Sequence, residues 1–99
     1  MTRHGQDRPT YYTIEIISER LRIPPAAIRR YTRLGFVEPS GRHGRTVLYS
    51  EADVARLRKV VRLTRDLGLN HAGVEVTLRL IDQMDALRRE LAALREEER

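Results

Sequence analysis

Two short runs in the first half of the chain have residue types suited to holding a polyanion. Arg29, Arg30, Tyr31 and Arg33 form the first; Arg42, His43 and Arg45 form the second. A guanidinium donates paired hydrogen bonds to phosphate oxygens or, in the major groove, to the O6 and N7 acceptors of guanine. A tyrosine hydroxyl can position a phosphate. The same arginines would equally suit a solvated basic face, with Tyr31 packed in the core. Catalysis has no comparable set. Glu51 with Asp53, and Asp82 with Asp85, are neighbouring carboxylates without a nucleophile or histidine close in sequence, as expected of helix surface. The histidines His4, His43 and His71 are scattered and cysteine is absent, so no thiolate metal site, disulfide or thiol nucleophile is available. No glycine-rich phosphate loop follows a strand. The sequence therefore predicts no enzyme, no metal and no cofactor.

The charge is unevenly spread. The chain carries +5 overall, with a net +7 in residues 1–68 and a net −2 in residues 69–99. A basic half favours a nucleic-acid partner, although many domains are basic for solubility alone. The length of 99 residues suits one domain with an extension. No apolar run reaches the ~18 residues of a membrane span, and the N-terminus has no signal-peptide pattern, so a cytoplasmic protein is expected.

The elements that must position these residues can be read from local signals. Residues 1–10 lack periodicity and predict a flexible arm, residues 11–68 a domain, and residues 69–99 a long helix. Thr13 suits a helix N-cap, with Ile14, Ile17 and Leu21 on one apolar face, and Pro24 should end this helix near Arg22. Pro25 fits the first position of a second helix reaching about Leu34, with Gly35 as the left-handed residue after it. Together they predict a helix-turn-helix, with the arginines of the first run on its second helix. Phe36–Pro39 and Thr46–Tyr49 flank a flexible basic tip at residues 40–45, predicting a short hairpin or wing. Ser50 with Asp53 opens a third helix that should run to Leu67, with Val54, Leu57, Val61 and Thr64 inward and Arg56, Arg58, Lys59, Arg62 and Arg65 mostly outward. Asn70 should cap the long helix. Leu80, Met84, Leu87, Leu91 and Leu94 recur at alternating four- and three-residue spacing, an a/d seam of about two heptads. A seam projecting past its own domain predicts a homodimer.

The pattern of these residues resembles the MerR family of transcriptional regulators. The resemblance rests on Tyr12-Thr13-Ile14, Ile28-Arg29-Arg30-Tyr31, Arg33 to Val37 and Pro39, then Leu48 to Val54, and covers about residues 12–68. It implies a mainly α, winged helix-turn-helix fold whose second helix meets the major groove of double-stranded DNA. It also implies dimerisation through the long helix, and backbone contacts from Arg29, Tyr31 and the wing arginines. The chain departs from the family pattern at Arg30, where a tyrosine is usual, at Arg22 in place of glycine, and at Pro24 in place of a capping serine. The resemblance does not extend to an effector-binding region or to metal-binding cysteines.

Residues 65–91 resemble two heat-shock-linked branches that share the start of the long helix. One comprises HspR repressors of chaperone operons; the other comprises CbpM modulators that bind the J-domain of a DnaJ-type co-chaperone. The basic wing favours the repressor. The modulator alternative would use Glu75, Asp82, Asp85 and Glu90 as an acidic face, and a DnaJ/DnaK-type chaperone is a partner under either branch.

Overall fold

The computed structural model describes residues 10–99, so the arm expected at the N-terminus lies, apart from Thr10, outside the described residues. Strand β1 (Tyr11–Tyr12) leads into α1 (Ile14–Leu21) and α2 (Pro25–Arg33). Strands β2 (Gly41–His43) and β3 (Thr46–Ser50) form the hairpin, and α3 (Glu51–Val61) continues as a π-turn over Arg62–Asp66. The long helix α4 (His71–Glu97) completes the chain.

Local chemistry explains most boundaries. The Thr13 hydroxyl accepts from the Ile16 N–H, and α1 stops where Arg22 adopts φ 57°. That left-handed residue costs a non-glycine side chain about 1–2 kcal/mol. The turn recovers part of this through bonds to its neighbours: the Ser18 hydroxyl donates to the Ile23 carbonyl at 2.5 Å, and Arg65 donates to the Arg22 carbonyl at 3.0 Å. Pro24 caps α2 without a side-chain bond, Pro25 fills its first turn, and Gly35 at φ 83° ends it. Ser50 and Asp53 form a reciprocal capping box at α3, and the Asn70 side chain accepts from Gly73 at 2.9 Å to open α4.

The sheet is antiparallel in the order β1-β3-β2, with Tyr12 opposite Tyr49 and Gly41 opposite Leu48. Two features differ from expectation. Tyr11–Tyr12 adds a third strand, and the outgoing arm of the hairpin is Gly41–His43 rather than Phe36–Pro39. Phe36 and Val37 are β-capable, but they join no strand and are buried instead, each in a different part of the core.

Two apolar clusters make up that core. Ile17, Ile23, Ile28, Val37, Tyr49, Val54 and Leu57 form one, joining α1, α2, the sheet and α3. Phe36, Val60, Leu63, Val74 and Leu78 form the other and dock the first turns of α4. Each fully buried aliphatic side chain stabilises the domain by about 1.5–3 kcal/mol. On α3 Val54, Leu57 and Val60 are buried, with Val61 only half-buried and Leu63 buried beyond it. The inward stripe therefore differs from the expected one, because α3 serves both clusters and its last turn is π rather than α.

Candidate nucleic-acid interface

Helix α2 presents one continuous outer stripe. Ala26, Arg29, Arg30 and Arg33 are all exposed, and their spacing of three, one and three residues places them on one face at 3.6 residues per turn. Ile28, on the opposite side, is fully buried. Among the described residues none forms an ion pair with these arginines; the ion pairs present are Arg56–Asp82, Arg88–Asp85 and Arg99–Glu96. Three guanidinium groups thus stand free on a helix carrying no acidic residue.

The helix behind that stripe is held rigidly. The Thr32 hydroxyl bonds the Ile28 carbonyl at 2.9 Å, so the buried Tyr49 hydroxyl donates to Thr32 at 2.8 Å, tying α2 to the sheet. The Thr64 hydroxyl likewise bonds the Val60 carbonyl at 2.9 Å, and Tyr31 approaches it at 3.3 Å. Tyr31 is half-buried, packs against both clusters and lies 6.2 Å from the Phe36 ring. The structure therefore separates the first run: Arg29, Arg30 and Arg33 face solvent, while Tyr31 faces inward towards the π-turn.

The wing carries the second run. Arg42 and His43 lie on β2, opposite Val47 and Thr46, and Gly44 with Arg45 makes a two-residue turn with Gly44 at φ 61°. All three basic side chains are exposed. Half of the expected six-residue tip, Gly41–His43, is thus strand, and Ser40, Gly44 and Arg45 lie outside the ladder. Its base is pinned from two sides. A Cβ at Gly41 would lie 2.9 Å from the Tyr11 ring, so only glycine admits that ring. Asp53 Oδ2 accepts from the N–H groups of both Ser40 (3.0 Å) and Ser50 (2.9 Å).

Three supporting residues escaped sequence reading. Tyr12 bonds Glu51 through its hydroxyl and lies under the Arg20 guanidinium, whose carbon is 4.5 Å from the ring centroid. Arg65 reaches the helix-turn-helix turn from the π-turn. Arg56 was expected outward, yet it is half-buried and bonded to Phe36 and Asp82. Apart from the Arg20–Tyr12 contact, these join residues 20 to 43 positions apart, beyond the reach of local spacing. Among the described residues there is no group of three His, Cys, Asp or Glu that could hold a metal, and no helix long and apolar enough to cross a membrane.

The acidic face considered for a J-domain is partly committed within the chain. Asp82 receives both terminal nitrogens of Arg56, at 2.8 and 3.2 Å, and Asp85 pairs with Arg88 at 3.6 Å. Glu75 and Glu90 are exposed. The seam residues Leu80, Met84, Leu87, Leu91 and Leu94 are all exposed along α4. Met84 also borders a groove of about 330 Å³ with Ile81, Leu63 and Leu67.

Comparison with known proteins bears on the whole described region. A family model described as MerR HTH family regulatory protein matches residues 12–96. A Streptomyces coelicolor A3(2) protein bearing the name heat shock protein HspR is 35% identical over 89 residues, 90% of this chain. The chain spans 58% of the length of that relative. The crystal structure of a MerR-family transcriptional regulator from Bacillus cereus superposes with a TM-score of 0.59 at 20% identity, covering 89% of this chain and 72% of that one. At that identity the likeness is one of fold.

Proposed function

The chain belongs to the MerR family of helix-turn-helix regulatory proteins, and from that premise we propose that it is an HspR-like transcriptional repressor of chaperone genes that binds double-stranded DNA as a homodimer. The observation that carries this reading is the exposed stripe of Arg29, Arg30 and Arg33, without an ion pair among the described residues, on the outer face of α2. Entering the major groove, that stripe offers guanidinium forks to guanine edges or to the flanking phosphates. Arg42, His43 and Arg45 on the wing extend the contact along the backbone. Tyr31 contributes by fixing the helix, with its hydroxyl directed at Thr64 rather than at a phosphate. The relative named for heat shock supports chaperone genes as targets.

Dimerisation through Leu80, Met84, Leu87, Leu91 and Leu94 follows from the alternating spacing and from their shared exposure. Two heads on one seam would meet half-sites about one helical turn apart, roughly 34–36 Å. A J-domain partner is the weaker alternative, because Asp82 and Asp85 already have partners within α4 and α3.

A gel shift on the DNA upstream of the chain's own reading frame, repeated with and without a J-domain protein, tests the proposal. Wild-type protein should retard that fragment, and log K should fall with log salt at about 0.9 per phosphate neutralised. Arg33→Ala in both subunits should make the slope shallower by about 1.8 if the residue contacts phosphate. Equal retardation of every fragment with a flat salt dependence would overturn the DNA reading, and J-domain capture under those conditions would replace it.

A further inference from the structure

Arg56 joins three parts of the molecule through one side chain. Its Nε–H donates to the Phe36 carbonyl at 2.6 Å, and its terminal nitrogens donate to the two carboxylate oxygens of Asp82 at 2.8 and 3.2 Å. Phe36 follows the glycine that ends α2, Arg56 lies in the middle of α3, and Asp82 lies one turn beyond Leu78, the last buried residue of α4. One planar fork thus ties the exit of α2 to the course of α4, one turn beyond the apolar packing of Phe36 on Val74 and Leu78. A lysine, with one compact ammonium, cannot reproduce that geometry. The two side chains are 30% and 54% exposed, so the pair adds little to overall stability. What it constrains is direction.

Before Asp82, α4 is fixed by Val74 and Leu78 in the core and by His71, edge-on to the Phe36 ring at 5.1 Å. After Asp85 every residue of α4 is exposed. From Asp82 to the end of α4 at Glu97 the helix runs about 22 Å. A tilt of about 10° at Asp82 would therefore displace the far end by about 4 Å, comparable with the ~3.4 Å between successive base pairs.

We propose that Arg56 is a positioning residue: by pinning α4 to the end of α2, it sets the separation of the two recognition helices in the dimer, and so the half-site spacing the protein selects. The inference rests on the dimeric DNA-binding reading above. Each head pivots on its own Arg56–Asp82 pair, so a loosened pair enters the separation twice.

The chain has no cysteine, so one introduced thiol gives one spin label per subunit. With Glu19→Cys on the exposed face of α1 as the labelled background, double electron–electron resonance reads the distance between the two heads. The background protein and a Glu75→Ala control, which removes an α4 charge outside any ion pair found among the described residues, should give the same narrow distribution. Asp82→Ala and Arg56→Lys should each give one about twice as broad, and 1 M NaCl should broaden the background protein towards them. On duplexes selected by wild-type protein from a random pool, adding one base pair between half-sites should weaken wild type about tenfold and Asp82→Ala only about threefold. Unchanged width and unchanged spacing preference in a folded Asp82→Ala protein would overturn this inference alone. Absence of any dipolar coupling in the background protein would overturn the dimer and the inference together.

Discussion

The domain around α2 and the outer half of α4 use the same kinds of apolar residue in opposite situations. Ile17, Ile28, Leu57 and Val60 are closed off from water completely, whereas Leu80, Met84, Leu87, Leu91 and Leu94 remain 49–64% exposed. In the domain, the caps of α1, α3 and α4 are made by side chains from the chain itself, and each buried aliphatic residue finds its neighbours within the same molecule. Along α4, a periodic row of leucines has no surface to meet in a single copy. The first region folds by its own contacts; the second has information that a single chain cannot use. Exposed leucines at random would be unremarkable, but leucines at seam spacing are what the proposed dimer would use.

Substitutions can break this contrast or sharpen it. The largest effect is expected from Leu57→Ala, which opens a cavity where the first cluster meets α3 and should cost about 2–5 kcal/mol in urea unfolding. A cost below about 1 kcal/mol would mean the domain core is looser than its burial implies. Next comes Leu87→Asp at the middle of the seam. It should leave the domain folded by circular dichroism but monomeric by sedimentation, with DNA affinity lower by about 100-fold as the second head is lost. If the variant unfolded the domain too, the two regions would be one cooperative unit rather than two. The smallest effect is expected from Tyr31→Phe, which removes the Thr64 hydrogen bond and should cost about 0.5–1.5 kcal/mol of stability with an unchanged salt slope. A shallower slope without loss of stability would instead return Tyr31 to the phosphate contact that the family resemblance implies.

What could be read from the sequence divides along a similar line. Thr13, Pro25, Gly35, the Ser50–Asp53 pair and Asn70 act on backbone groups within four residues of themselves, and each marks the boundary it was expected to mark. The exposed seam was legible because its spacing is its whole content. Illegible were the contacts that close the fold at a distance. Strand β1 consists of two tyrosines paired with β3, 37 to 39 positions further on, and nothing local marks them as strand. On α3 the inward stripe takes in Val60 and Leu63 beside the expected Val61, because two clusters pull on one helix and the π-turn shifts its final face. Arg56 showed only as one more arginine on a polar face. Its function depends on Phe36 and Asp82, 20 positions before it and 26 after it. The basic residues on α2 and the wing stand out by type and spacing and are exposed in the structure, but the inward turn of Tyr31 depends on Thr64, 33 positions away.

Asp53 has a consequence for motion as well as for architecture. One carboxylate oxygen closes the start of α3 and also receives the N–H of Ser40, immediately before β2. Motion of the wing at its base is therefore coupled to the cap of the helix behind it. Opening of the two is one event, and their amides should exchange with solvent at a common rate governed by that event, as members of a single foldon. Gly44 and Arg45, outside the ladder, should keep the fast exchange of a loop. A protein built this way meets a polyanion with a stiff blade whose compliance is confined to its last two residues.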